Sequence, residues 1–373
     1  MTVGGHIPFL SLQQEHVETG VQDDIDTALL RVSRSGRYLL GPELEAFEAE
    51  YAAYCENSHC VAVGSGLDAL TLTLRAMGIR EGDEVIVPSH TCIASWLAVS
   101  AAGARPVPVE PQSGGFLLDP ERLQAGITRR TRAIMPVHLY GHPVDLDAVE
   151  AVAADHGLPV IEDAAQAHGA RYREKRIGAR YAAAFSFYPS KNLGALSDGG
   201  AVVTSDAELA HRIRLLRNYA SPETCTRGMQ GVNSRLDELQ AAVLRAKLPH
   251  LDRWNARRRE IALRYHQGLS DIPAVQTPTA EGWAEPVWHQ YVIRSAQRDR
   301  LRNALAAAGV ETLVHYPVAV HRMGVYKARS CQCVLPLAEG LAAEVLSLPI
   351  GPHVNDDTID AVMRAVRKAA EEL

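Results

Sequence analysis

The sequence predicts an α/β fold: a mostly parallel central sheet with helices on both faces, followed by a smaller C-terminal α+β domain. Three observations carry that expectation. Short β-rich runs alternate with longer helical patterns through residues 60–218, as in a sheet assembled from βα units. The 373 residues exceed one simple core and suit a large domain plus a smaller one. Hydrophobic residues make up 47% and charged residues 22%, the balance of a chain that buries a full core.

The elements follow in order. Cys60–Val63 reads as a strand and Leu67–Met77 as a helix ending near Gly78. Glu84–Val87 is a strand, His90–Ala102 a helix closed by Gly103, and Arg105–Val109 a strand. Ala133–Val137 is a strand, Asp145–His156 a helix stopped by Gly157, and Leu158–Ile161 a strand. Ala183–Tyr188 and Ala201–Thr204 read as strands, with a helix from Asp206 to about Asn218. Ser221–Gly231 lacks periodicity and reads as a long loop. A helix runs from Ser234 through Arg264 with an interruption at Pro249, and an α+β section begins at Val287. The domain boundary is expected near residue 250, giving 1–250 and 251–373.

Composition excludes several function classes. A formal charge of −6 offers no basic surface for nucleic acid. No apolar run reaches membrane-spanning length, and Met1–Pro8 lacks the charged-then-apolar layout of a leader. A cytosolic location is expected. The six cysteines are scattered, and Cys331-Gln332-Cys333 lacks the second pair of a structural zinc site. Reduced structural thiols are expected. His138 and His142 stand four apart, but Gly141 and Pro143 break any helix that would align them. No metal site is expected.

Ligands in such sheets sit beyond the carboxyl ends of the strands, and three features fall there. Val63-Gly64-Ser65-Gly66 lies between a strand and a helix, where glycines let backbone N–H groups approach an anion at the helix N-terminus. A plain βα turn is the other reading. Asp163 follows the run Val160-Ile161-Glu162, where a carboxylate can hold a cofactor or merely cap a helix. Lys191, in Ser186-Phe187-Tyr188-Pro189-Ser190-Lys191, follows another strand. A lysine held against aromatics can lose its proton and form an imine, although most single lysines are solvated. Together the three describe one site: an anion cradle for a phosphate, a carboxylate for a pyridine nitrogen and a lysine for an aldehyde. Those are the tasks a protein performs toward pyridoxal phosphate.

These motifs resemble the DegT-type sugar aminotransferases over nearly the whole chain. Matching segments run in order: Ile7–Leu10, Gly64–Leu70, Gly82–Ser89, Asp163–Gly169, Ser186–Lys191, Asp198–Gly200, Asn233–Gln240 and His315-Tyr316-Pro317. The resemblance implies the aspartate-aminotransferase-like fold (fold type I) of pyridoxal-phosphate enzymes. Within the family, Gly64–Leu70, Ser89-His90-Thr91 and Val137–His142 are most similar to enzymes of antibiotic deoxysugar pathways. Those aminate the third carbon of a dTDP-linked 3-keto-6-deoxyhexose.

The resemblance also implies roles. Lys191 matches the lysine that binds the cofactor and shuttles the proton, and Asp163 the partner of the pyridine nitrogen. Gln166 matches the residue near the phenolic oxygen. Ser186 and the backbone of Gly66 and Leu67 match phosphate ligands. Many relatives carry Thr or Ser where Leu67 stands, so only its backbone contact carries over. His90 falls where an aromatic ring often stacks on the pyridine, with a helix-start histidine as the alternative. Asn233 matches an asparagine that reaches the phosphate of the neighbouring subunit, or else caps a helix at Ser234. The first role implies a homodimer with shared sites. Tyr188, Tyr219, His315, Tyr316 and His321 are candidates for the sugar pocket. Arg253, Arg257, Arg258 and Arg259 read as a solvated helix face, with a nucleotide-diphosphate contact as the alternative.

The implied reaction is ping-pong. L-glutamate donates the amino group, pyridoxamine phosphate carries it, and the keto-sugar receives it. A 4-keto-sugar aminotransferase is the near alternative. A sugar dehydratase of this fold would have histidine in place of Lys191, and a non-catalytic regulator would have lost Lys191 or Asp163. A dinucleotide-binding turn would need a third glycine after Gly64-Ser65-Gly66.

Overall fold

A computed structural model describes residues 6–221, 230–327 and 333–373. The central strands are β1 (His59–Val63), β2 (Glu84–Pro88), β3 (Arg105–Val109), β4 (Thr131–Ile134) and β5 (Ile161–Asp163). A small hairpin, β6 (Arg171–Tyr172) and β7 (Lys175–Arg176), precedes β8 (Ala182–Ser186) and β9 (Gly200–Thr204). Two sheets form, in the orders β1-β9-β8-β5 and β3-β2-β4. Parallel bridges Ile134–Val160 and Val137–Asp163 join them into one continuous surface. Within it, β9 alone runs antiparallel, against both β1 and β8. Its first residue, Gly200, therefore lies opposite Val63, the last of β1.

Alternation along the strands builds two cores. Val61, Val63, Ala184 and Val202 face the helices Gly66–Ala76, Ile93–Ala101 and Ala207–Leu216. Cys60, Ala62, Ala183, Phe185, Ala201 and Val203 face the opposite way, toward helices Pro42–Tyr54 and Glu238–Lys247. Side chains one residue apart in a strand point to opposite faces, so a buried sheet is apolar on both. Two further helices, Leu12–Glu18 and Gln22–Ser35, precede Pro42–Tyr54.

Beyond residue 250 a further core gathers Ile261, Tyr265, Tyr291, Ile293, Leu346, Leu348, Val362 and Val366. It holds the antiparallel pair β11 (Tyr291–Arg294) and β12 (Val345–Leu348), while β10 (Ala284–Glu285) pairs with β6. Ile7 joins this C-terminal core and exchanges backbone hydrogen bonds around Val310. The described chain therefore starts on the C-terminal part before entering the large sheet.

Some boundaries differ from the expectation. The helix expected from His90 begins at Ile93, because Pro88–Cys92 stays non-helical along the site wall. The helix expected from Ser234 begins at Glu238, so Asn233 caps no helix there. The interruption at Pro249 is a single 3₁₀ turn, Leu248–His250. Most of the expected loop, residues 222–229, lies outside the described residues, as do Cys225 and Cys331. Cys55, Cys60, Cys92 and Cys333 are free thiols. The arginine run is not a uniform solvated face: Arg258 is buried. It shares the stripe of Leu251, Trp254, Ile261, Ala262 and Tyr265 on helix Leu251–Leu269, the i, i+3, i+4 spacing of an inward face. Arg257 and Arg259 pair outward with Asp356 and Glu285.

Candidate active site

Beyond the carboxyl ends of the parallel strands lies a cavity of about 340 Å³. Its wall is assembled from strand ends far apart in sequence. After β1 come Ser65, Gly66 and Leu67; after β2, Thr91 and Cys92. Asp163 and Gln166 follow from β5, and Ser186, Tyr188, Ser190 and Lys191 from β8. Asp198 stands just before β9, which its reversed direction brings to the same edge. His289, Gln290, His315 and Tyr316 close the cavity from the C-terminal part.

One end of the cavity is built for an anion. Ser65 caps helix Gly66–Ala76 by accepting the Asp68 N–H at 3.1 Å. The N–H groups of Gly66 and Leu67 lie in the first turn, where the helix offers no carbonyl to receive them. The positive end of the helix dipole reinforces that preference. Glycine is required at 66: a Cβ there would stand 2.6 Å from Ser186 Cβ and 3.0 Å from its Cα. The cradle is thus shaped by the close approach of this turn to β8.

The other end carries charge in a buried setting. Asp163 is buried, and burial raises its carboxyl pKa. Donors pull in the opposite direction: Ser95 Oγ at 2.7 Å from Oδ2 and the Ala165 N–H at 3.2 Å from Oδ1. Lys191 is half-buried, and burial lowers its pKa, with Cys92 and Asp163 opposing the shift. Burial therefore favours the neutral amine at Lys191, the nucleophilic form.

Hydrogen bonding orients the walls. The Tyr140 N–H donates to Gln166 Oε1 at 2.6 Å, so the Gln166 amide nitrogen turns to the Tyr316 hydroxyl at 3.1 Å. Asn192 donates to Asn255 Oδ1 and Val287 O, leaving its own Oδ1 as acceptor. The His289 Nδ1, 3.2 Å away, must therefore carry the proton, and Nε2 is an acceptor. Burial, reinforced by Lys191, holds His289 neutral by pushing its pKa well down.

Not every expected residue reaches the cavity. His90 does not line it. Its Nε2 contacts the Tyr140 hydroxyl at 2.8 Å, and that hydroxyl donates to the His315 carbonyl. The nearby lining residues are Thr91 and Cys92. His321 is buried elsewhere against Glu339, 3.0 Å away. Tyr219 is exposed with Arg235 over its ring, away from the lining. Asn233 is also exposed and outside this chain's cavity, although Ser234 beside it accepts the Gly64 N–H at 2.9 Å. Of the sugar candidates, Tyr188, His315 and Tyr316 line the cavity. Cys92, Ser95, His289 and Gln290 are not among the expected site residues, and Asp198 enters the sequence analysis only as part of the matching segment Asp198–Gly200. His138 engages Glu162 through Nε2 and the Val144 N–H through Nδ1, while His142 packs edge-on against Trp288 and Phe116.

A model of the DegT/DnrJ/EryC1/StrS aminotransferase family matches residues 20–367. The chain belongs to that family. It is 57% identical over 366 residues to the erythromycin biosynthesis sensory transduction protein EryC1 of Saccharopolyspora erythraea, covering 98% of this chain and all of that one. It is 56% identical to the dTDP-3-amino-3,4,6-trideoxy-alpha-D-glucose transaminase of Streptomyces venezuelae, covering 98% and 97% of the two chains. The crystal structure of S. venezuelae DesV in complex with a ketimine intermediate superposes with a TM-score of 0.95, at 56% identity and 99% coverage of both chains. Membership makes this a pyridoxal-phosphate-dependent transaminase of fold type I. The cavity's chemistry fits that cofactor: it brings together the backbone donors of the Gly66 turn, a buried carboxylate at Asp163 and an amine at Lys191.

Proposed function

We propose that this enzyme transfers an amino group from L-glutamate to the 3-keto group of a dTDP-linked 6-deoxyhexose. The observation that carries the reading is a single cavity uniting Lys191, Asp163, Ser186 and the Gly66–Leu67 turn in a chain so similar to the S. venezuelae transaminase. Bound pyridoxal phosphate supplies the electron sink and the amino carrier. Lys191 anchors it, then moves a proton from the donor's α-carbon with Nζ, first one way and then, with the keto-sugar, the other. Asp163 keeps the pyridine nitrogen protonated. The Gln166 amide nitrogen, which gives one hydrogen to Tyr316, would have its second for the phenolic oxygen. The N–H groups of Gly66 and Leu67, with the Ser186 hydroxyl, hold the phosphate. Tyr188, His315 and Tyr316 bound the sugar side.

A regulatory role, suggested by the name of the S. erythraea relative, would leave no reason to keep a lysine and a carboxylate in one cavity. Among the described residues no helix is long and apolar enough to cross a membrane, in keeping with a cytoplasmic enzyme. The working unit is a homodimer in which Asn233 reaches the neighbouring subunit's phosphate; its exposure outside its own cavity supports that reading.

The test is a half-reaction followed by colour. The yellow enzyme is bleached with L-glutamate, freed of donor, and offered dTDP-3-keto- and dTDP-4-keto-6-deoxyhexoses separately. Recovery of colour with the 3-keto sugar alone is expected. Recovery with the 4-keto sugar alone would move the reaction to the fourth carbon. Failure of glutamate to bleach would exclude it as donor.

A further inference from the structure

We propose that Thr91 and Ser95 form a hydroxyl relay that holds Asp163 ionised and correctly turned, making both positioning residues for the pyridine-nitrogen partner. The proposal rests on the cofactor reading above. Ser95 lies in the first turn of helix Ile93–Ala101 and is fully buried, as is Thr91 to within 2%. Its neighbours on that helix are Trp96, Ala98 and Val99, all core residues. A buried hydroxyl among them is costly unless it has a partner, and that partner is Asp163 Oδ2 at 2.7 Å.

The direction of the relay follows from proton counting. An ionised carboxylate only accepts, so Ser95 must give its single proton to Asp163. The second contact of Ser95 Oγ, to Thr91 Oγ1 at 3.0 Å, then requires Thr91 to donate. The remaining contact, from the Ala165 N–H to Oδ1 at 3.2 Å, is also a donor. Each of these contacts suits the anion. Burial opposes that state, and the Ser95 bond is foremost among the groups that restore it.

The relay also sets the carboxylate's orientation. Thr91 and Ser95 come from the strand end after β2, whereas Asp163 ends β5. The bond therefore spans 68 residues of sequence and ties two walls of the cavity across the sheet. Thr91 itself lines the cavity, so the relay begins at the site and ends at the carboxylate.

The experiment compares Ser95→Ala, Ser95→Thr and Thr91→Val with the wild-type holoenzyme. Two quantities are read: the dissociation constant of pyridoxal phosphate, and the pH at which the lysine-bound chromophore changes colour. A hydrogen bond to a charged group is worth enough to weaken binding about tenfold or more. Ser95→Ala should show that loss, and its colour midpoint should move upward because the pyridine nitrogen holds its proton less firmly. Ser95→Thr, which keeps the hydroxyl, should restore both. Thr91→Val should shift the midpoint in the same direction by less. Cofactor affinity within twofold of wild type and an unmoved midpoint in Ser95→Ala would overturn the proposal. So would an unmoved midpoint in Thr91→Val, should Ser95→Ala fail to fold. A wild-type protein that takes up no chromophore at Lys191 would instead refute the cofactor reading itself.

Discussion

At the scale of single residues, the site works because burial and hydrogen bonding act in opposition. Burial lowers the Lys191 pKa and raises that of Asp163. Unopposed, it would neutralise both groups. For the proposed reaction neutral Lys191 is useful, since an amine attacks a carbonyl only without its proton; neutral Asp163 is not, since it could no longer hold a pyridinium. The donors are accordingly concentrated on Asp163. In the proposed reaction Lys191 is both attachment point and proton carrier, so Lys191→Ala should cost more than the roughly 10²–10⁴-fold of a general acid–base alone. It should also abolish covalent retention of the cofactor after borohydride reduction, read by peptide mass. Near-normal turnover in that variant would sink the assignment. His289, neutral and with Nε2 accepting from the Gln290 amide at 3.4 Å, adds a polar group to the cavity without adding charge.

At the scale of elements, two buried side chains from helix Glu238–Lys247 organise structure outside it. The Glu238 carboxylate accepts the N–H groups of Gly41, Glu43 and Leu44 at 2.8, 2.9 and 3.0 Å. It thereby satisfies the unpaired first turn of helix Pro42–Tyr54, which has no capping side chain of its own. Lys247, at the other end, donates to the Gly194 carbonyl at 2.8 Å, three residues beyond Lys191. Burial lowers the Lys247 pKa from its ordinary 10.5 to about 8, with Glu15 opposing. Between those two values the unfolded chain binds a proton that the folded chain does not. Stability from this group therefore rises with pH across that window, by up to about 3 kcal/mol. Lys247→Met should remove this dependence. Denaturant unfolding of both holoenzymes at several pH values should show wild type gaining on the variant as pH rises from 8 to 10. A difference that stays constant would contradict the argument.

At the scale of the whole molecule, the two parts are fastened to each other through the site. Tyr140 lies next to the sheet, yet its hydroxyl holds the His315 carbonyl of the C-terminal part. Phe9, near the start of the described chain, packs its ring 5.9 Å from that of His315. A segment near the start of the described chain therefore backs the cavity wall that His315 contributes. If the homodimer shares its sites through Asn233, Lys191→Ala and Asn233→Ala proteins should each be impaired alone. Co-refolded, they should complement, since a mixed dimer contains one site with both residues intact. With random pairing, activity should return to roughly a quarter of wild type. Absence of recovery from two impaired parents would place both residues in the same subunit's site.

What the sequence determined by itself is the local part of this design. Lys191, Asp163 and the Gly64-Ser65-Gly66 turn were legible because each lies at or within a few residues of the end of an apolar strand, and a βα sheet gathers strand ends at one edge. The buried spacing Ile25, Ala28, Val32 in helix Gln22–Ser35 was equally local and went unread. Tertiary structure decided the rest. Ser95 has no function until Asp163 is folded against it, and His289 has no tautomer until Asn192 fixes one. The antiparallel course of β9 brings Asp198 to the cavity, and only pairing with β1 and β8 sets that course. His90 and Cys92 stand two apart, yet Cys92 lines the cavity and His90 turns to Tyr140. Spacing along a chain says which residue types arrive together; which of them face the ligand depends on partners that distant segments supply.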